Sequence, residues 1–334
     1  MMNTPKVTIG VPVYGVERYI ERCARSLFEQ TYTDIEYIFV DDCSPDKSID
    51  ILKQVIEEYP FRKDQIRIVR HVHNRGLAAA RNTVVEKATG EFITWVDSDD
   101  YVEHNMVESL LNMQQETDSD IVSCDAIFHF PDYDLKCSQV DSSDSKELTL
   151  KTLSRRTFVS VCLRLIRLSI YKQYDIKALE GYNMGEDYQV TPILLYFAKK
   201  VSVLHIPLYH YNCTDLNTYT GSFSEQKSRQ VYKAVSLLNS FFRDKGEEYI
   251  AAIEYAYTLL IIKDIIACCK VGDQEKYFNE LRNKLLSTNK KNWSGIDLPN
   301  RIILYINNYY LAKIYVLIAS KLKKLLKRYA HYTA

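Results

Sequence analysis

The sequence has no net charge, few glycines and no long apolar run, and each shortage removes a class of function. Lysine and arginine together number 43 and are matched by 43 acidic residues. The global basic excess that drives nonspecific nucleic-acid binding is therefore missing, and no nucleic-acid partner is expected. No stretch of about 18 consecutive apolar residues occurs, which argues against a membrane-spanning helix. Met1 to Lys6 leads straight into a strand-like run, without the basic and apolar regions of a secretory signal. No GxGxxG follows the first strand, because Gly10 and Gly15 bracket it at the wrong spacing, so a dinucleotide-dependent dehydrogenase is disfavoured. A Gly-rich phosphate loop with a basic residue near the N-terminus, expected of a sugar-nucleotide pyrophosphorylase, is also absent. The eight cysteines form no CxxC and follow no regular spacing, a usage that fits reduced thiols in a cytoplasmic protein.

What is present begins as alternation. Val7 to Val13, Ile35 to Val40, Ile66 to Arg70 and Glu91 to Val96 read as strands. Glu17 to Gln30, Ser48 to Tyr59 and Gly76 to Ala88 read as helices between them. This pattern predicts an α/β fold with a parallel sheet and crossover helices, whose ligands bind beyond the carboxyl ends of the strands. Asp132 to Lys146 reads as an exposed loop, with a second set of elements starting near Leu148. From about Glu225 the sequence is helical.

Polar residues gather at three strand ends: Pro12-Val13-Tyr14, Asp41-Asp42 and Asp97-Ser98-Asp99-Asp100. Carboxylates at i and i+2 repel one another unless a cation or hydrogen-bond donors balance them. Two readings follow for Asp97 and Asp99: a Mg²⁺ or Mn²⁺ site, as hard oxygen ligands favour, or a turn whose acids face water. Ser44 or Asp46 suits a cap for the helix that follows. Capping leaves Asp41 and Asp42 open to the N–H of a base or to ribose hydroxyls. Arg81 falls on the apolar stripe of its helix, so it either meets an acidic or phosphate partner or reaches out to solvent. Gly185-Glu186-Asp187 precedes an apolar helix from Val190 to Phe197, with Pro192 marking its start. These acids either cap that helix or supply the carboxylate that deprotonates an attacking hydroxyl.

The last stretch, Leu311 to Tyr329, places Leu311, Ile314, Tyr315, Ile318, Leu322, Leu325 and Tyr329 on one face, with five basic residues largely elsewhere. It either lies on an anionic membrane surface or docks on the domain with its basic face in water.

Taken jointly, five blocks resemble family 2 glycosyltransferases: Val7 to Tyr14, Gln30-Thr31-Tyr32, Val40 to Asp46, Asn74 to Asn82 and Trp95 to Tyr101. Gly185-Glu186-Asp187 and Pro207-Leu208-Tyr209 extend the resemblance more sparsely. It implies the glycosyltransferase A-type fold, a mixed, mainly parallel sheet flanked by helices, here with an appended C-terminal helical region. The implied organisation is a catalytic domain over 1–223, split into a nucleotide-sugar half (1–125) and an acceptor half (126–223), followed by helices over 224–334. Carried over to this sequence, Pro12 and Tyr14 border the base and ribose, and Asp42 recognises the base with Asp41 beside it. Arg81 sits near the nucleotide, Asp97 contacts ribose or sugar, and Asp99 coordinates Mn²⁺ or Mg²⁺. Asp187 is then the base of an inverting transfer from a nucleoside-diphosphate sugar, a UDP-sugar first, to a saccharide or lipid-linked saccharide. The alternative is a catalytically inactive nucleotide-sugar-binding or scaffold protein of the same fold. Two positions depart from the family pattern, Gly15 for Asn and Cys43 for Gly. Both lie in turns, where altered loop geometry with intact chemistry is expected, and Cys43 offers a thiol for modification beside the site.

Overall fold

The computed structural model describes residues 6–214, 223–272 and 274–332, with positions 292, 294 and 323–332 described through the backbone alone. It divides into two compact units, Met1–Thr218 and Tyr219–Ala334. In chain order the first unit holds β1 (Val7–Val13), α1 (Ile20–Phe28), β2 (Ile35–Asp41), α2 (Ser48–Glu58), β3 (Ile66–Arg70), α3 (Leu77–Lys87) and β4 (Phe92–Trp95). It continues with β5 (Tyr101–Val102), α4 (Met106–Thr117), β6 (Ile121–His129), β7 (Asp134–Cys137), α5 (Ser145–Leu153), β8 (Arg164–Arg167), α6 (Leu168–Gln173), α7 (Glu186–Phe197) and β9 (Val201–Asn212).

One sheet runs in the order β3-β2-β1-β4-β8-β6-β9-β5, with β7 paired to β6. The strands β1 to β4 are mutually parallel. Both β1 and β2 are buried along their whole length, as expected of apolar strands covered by helices on both faces. Beyond β4 the sheet becomes mixed, since β8 is antiparallel to β4 and β6 while β9 is parallel to β6. Pro12 is tolerated inside β1 because it lies past the last residue paired with β4, Gly10 opposite Trp95. Gly10 is required for another reason. A Cβ there would lie 2.6 Å from Val84 and 2.8 Å from Trp95, so glycine lets α3 settle close against the sheet.

Several boundaries differ from the sequence expectation. Asp132 to Lys146 is not a plain loop: β7 closes an antiparallel hairpin onto β6, and α5 starts at Ser145 behind the Asp144 cap. The exposed Asp and Ser residues hid a short edge strand that buries almost nothing. Pro192 does not mark the start of α7. That helix begins at Glu186, and the proline sits within it.

The second unit contains α8 (Glu225–Phe242), α9 (Glu247–Cys268), α10 (Glu275–Leu286), α11 (Leu298–Ile303) and α12 (Tyr309–Tyr332). Its core gathers Ile261, Ile265, Phe278, Leu281, Leu285, Ile303, Tyr309, Ala312 and Val316. The helix α12 docks through Tyr309, Ala312 and Val316, whereas Leu311, Ile314, Ile318 and Leu322 remain exposed. Among the described residues no helix is long and apolar enough to cross a membrane.

Candidate active site

The parallel register brings the functional strand ends level. Val13 pairs with Asp41 and Asp41 with Arg70, so Tyr14, Asp42 and His71 leave the sheet side by side. The following loops are stitched together across the strands. Ser44 Oγ accepts the Gly15 N–H at 2.9 Å, Ser48 Oγ the Val16 N–H at 3.0 Å and Asp46 Oδ2 the Glu17 N–H at 2.9 Å. Ser44 therefore serves the neighbouring loop rather than capping α2, while Asp46 also takes the Ser48 N–H at 3.1 Å. The two departures from the family pattern both adopt positive φ, 69° at Gly15 and 59° at Cys43. Cys43 thus carries a Cβ in a conformation that glycine occupies at no steric cost.

Asp42 is buried and heavily engaged. His71 Nδ1 lies 2.6 Å from its Oδ1, which also accepts the Arg75 N–H at 2.8 Å, and Oδ2 accepts the Gly76 N–H at 2.7 Å. The other ring nitrogen of His71 lies 2.9 Å from Thr83 Oγ1 on α3. Asp42 therefore fixes the turn that launches α3. An ionised carboxylate offers about four acceptor positions, so one on Oδ2 remains. Asp41 accepts the Ser44 N–H at 2.8 Å and pairs with Arg70 at 3.3 Å. Tyr14 is half exposed at the end of β1 beside this loop.

The centre of the site is Arg81. Its buried guanidinium lies 3.0 Å from Asp97, 3.2 Å from Asp187 and 3.9 Å from Glu186, and packs 5.6 Å from the Trp95 ring centroid. The end of β4 and the start of α7 are thereby joined through α3. Of the two readings for Arg81, the inward, acid-paired one holds. Three carboxylates share this one guanidinium, and the balance shows in each group. Burial opposes the charge on Arg81, but Asp187 and Asp97 outweigh it and hold the guanidinium firmly protonated. Burial pushes the Asp187 carboxyl above its ordinary range, against the opposing pull of Arg81 and with Asp97 adding to the rise. Glu186 rises for the same first reason and because Asp187 is beside it. A second cation, Arg164 on β8, faces Asp187 from a fully buried position, where burial lowers its own pKa to about 10. It remains charged at neutral pH.

The four residues after β4 separate in role. Asp97 meets Arg81. Among the described residues no side chain hydrogen-bonds or pairs with Asp99, and burial, followed by the Asp97 charge, raises its carboxyl to about 6. Asp100 is closed off: Tyr209 Oη donates to its Oδ2 at 2.6 Å and the Asn212 N–H to its Oδ1 at 2.7 Å. The same Tyr209 oxygen accepts the Asp97 N–H at 3.1 Å, so β9 clamps the acidic turn from the far side of the sheet. Sequence reasoning missed His71, Arg164, Tyr209 and Asn212 as parts of this site. Only Tyr209 left a signal, through the Pro207-Leu208-Tyr209 block. Among the described residues no three His, Cys, Asp or Glu side chains converge into a metal cage.

The chain is similar to known glycosyltransferases in sequence and in fold. Residues 8–175 match the family described as glycosyl transferase family 2. EpsJ of Bacillus subtilis, described as an uncharacterized glycosyltransferase, is 30% identical over 249 residues, 71% of each chain. The crystal structure of residues 1–349 of Staphylococcus aureus TarS in complex with UDP-GlcNAc superposes with a TM-score of 0.67 at 20% identity, covering 96% of this chain and 92% of that one. The mannosyltransferase PcManGT of Pyrobaculum calidifontis, in complex with GDP-Man and Mn²⁺, gives a TM-score of 0.53 at 17% identity over 97% and 88% of the two chains. With its mixed sheet, level strand ends and acid cluster, the chain belongs to glycosyltransferase family 2 and carries the glycosyltransferase A-type fold.

Proposed function

We propose that the chain is an inverting glycosyltransferase that moves a sugar from a nucleoside-diphosphate donor, a UDP-sugar first, to a hydroxyl of a saccharide or lipid-linked saccharide in surface polysaccharide or glycolipid synthesis. The observation that carries this reading is the Asp97–Arg81–Asp187 bridge, which sets a raised-pKa carboxylate across from a strand-end acid pair. The UDP-GlcNAc complex of TarS supports the choice of donor. In this reading residues 1–125 hold the donor and 126–223 the acceptor. Pro12 and Tyr14 border the base and ribose, Asp42 takes a base N–H on its remaining Oδ2 position with Asp41 beside it, and Asp97 contacts ribose or sugar.

Asp187 is the base. Transfer by single displacement needs a carboxylate that accepts the acceptor's hydroxyl proton while the oxygen attacks the anomeric carbon, and a base works best with a pKa near the operating pH. Burial moves Asp187 in that direction. Arg81 holds it in place and leaves Asp97 fixed on the donor side, which is the positioning such a reaction requires.

The acids after β4 also fit a divalent cation. Asp99 supplies a hard oxygen without a competing side-chain partner, and Asp97 lies two residues away. Mn²⁺ and Mg²⁺ are commonly held by one or two carboxylates together with substrate phosphates and water, so a three-residue protein cage is not required. When bound, such an ion offsets the charge that develops on the departing diphosphate. The eight free thiols support a cytoplasmic location, and a place at the inner face of the cell membrane suits a lipid-linked acceptor. Calorimetry with UDP and Mn²⁺, followed by nucleoside-diphosphate release from a panel of sugar nucleotides, tests the reading. Binding without release from any donor on addition of acceptor extracts would support an inactive binding protein instead.

A further inference from the structure

The helix α12 presents two apolar faces. Tyr309, Ala312 and Val316, at i, i+3 and i+7, are 2%, 0% and 3% exposed and belong to the core of their unit. Leu311, Ile314, Ile318 and Leu322 follow the same helical spacing on the other side and are 61%, 54%, 54% and 54% exposed. At about 100° per residue the two stripes point in nearly opposite directions. Solvent-facing aliphatic side chains in so regular a row are not required for docking the helix, because Tyr309, Ala312 and Val316 already provide that face. A contiguous exposed apolar stripe of this kind marks an interaction surface.

Charge selects the occupant. From Tyr309 to Ala334 the sequence contains Lys313, Lys321, Lys323, Lys324, Lys327 and Arg328 and no Asp or Glu, in a chain that is otherwise acidic enough to bring the total to zero. Lys321 is exposed next to Leu322. Two copies of so basic a helix repel one another, whereas an anionic bilayer attracts both features at once: lipid headgroups take the ammonium groups, and the acyl boundary takes the aliphatic row.

We propose that α12 docks through Leu311, Ile314, Ile318 and Leu322 on an anionic lipid surface, held there by its lysines. The inference deepens the membrane-face placement proposed above, on which it rests, and it does not depend on the identity of the sugar or the acceptor.

Co-sedimentation of the full chain with phosphatidylcholine vesicles, and with vesicles containing added phosphatidylglycerol, tests it. The wild-type chain is expected to bind the anionic vesicles at least roughly tenfold more strongly, and to lose most of that binding in high salt. The exposed pair Ile314→Ser/Ile318→Ser should lower binding to anionic vesicles about tenfold or more, while Lys321→Gln/Lys324→Gln, which removes two of the six cations, should weaken the lipid-charge preference severalfold. Calorimetric UDP binding, measured on every variant, should be unchanged and so separates loss of the surface from loss of the nucleotide site. Equal binding by wild type and the Ile314→Ser/Ile318→Ser variant, or no binding to anionic vesicles, overturns the inference. So does a concentration-dependent dimer of the wild type that the same pair of substitutions abolishes, which would assign the face to a second copy.

Discussion

Replacing Arg81 by Gln removes the one cation shared by Asp97, Asp187 and Glu186, at 3.0, 3.2 and 3.9 Å. Breaking a buried ion pair from one side costs about 3–5 kcal/mol, because the abandoned charge stays in low dielectric. Partial protonation of Glu186 and Asp187, already favoured by burial, limits the loss, so we expect the lower part of that range. Asp187→Asn takes one charge out of an over-acidic group and should cost on the order of 1 kcal/mol or less. The double variant Arg81→Gln/Asp187→Asn should therefore be less destabilised than the two single costs added together, by about 1–3 kcal/mol. Urea denaturation in EDTA at pH 7.5 measures all four corners of the cycle. Only Trp95 and Trp293 are present, so in a Trp293→Phe background fluorescence follows Trp95, against which Arg81 packs. Additive costs, or a loss below about 1 kcal/mol for Arg81→Gln, would refute the shared-cation account.

Asp99, raised to about 6 from an ordinary carboxylate value, binds its proton more tightly folded than unfolded. Its ionisation therefore weakens the metal-free protein as pH rises through 6, by up to about 3 kcal/mol, and costs nothing below about pH 4. In EDTA, Asp99→Asn should raise the thermal midpoint at pH 7.5 and lose that advantage at pH 4; a gain equal at both would be contrary to expectation. Mn²⁺ should raise the midpoint of the wild type and not of Asp99→Asn. Cys43→Gly should stabilise the first unit by up to about 1 kcal/mol in urea titrations, since φ of 59° burdens a residue with a Cβ; destabilisation would show that the thiol contributes more than the backbone costs.

The first four strands were legible because apolar runs of strand length, separated by helical periods, leave few alternative folds. The same reasoning found the acids at the strand ends but not their division of labour. Asp99 and Asp100 look alike in sequence, yet Tyr209 and the Asn212 N–H close one and leave the other open. Those partners arrive on β9, whose place in the sheet no local pattern specifies. For Arg81 the sequence left an inward and a solvent-reaching reading open, and its meeting with Asp187 depends on how α7 returns to the sheet. For Asp42, residue type suggested ligand contact, whereas His71 and two backbone N–H groups give it structural work as well. On α12 both stripes have helical spacing, and spacing alone does not say that Tyr309, Ala312 and Val316 rather than the Leu311 row join the core.

The most direct test of the account compares Asp187→Ala with the wild type in two assays on the same preparation: binding of a donor sugar nucleotide by calorimetry, and release of nucleoside diphosphate on transfer to acceptor. A catalytic base across from the donor predicts that Asp187→Ala binds the donor with affinity within about threefold of wild type and transfers at least about a hundredfold more slowly. Transfer by Asp187→Ala at the wild-type rate would contradict it.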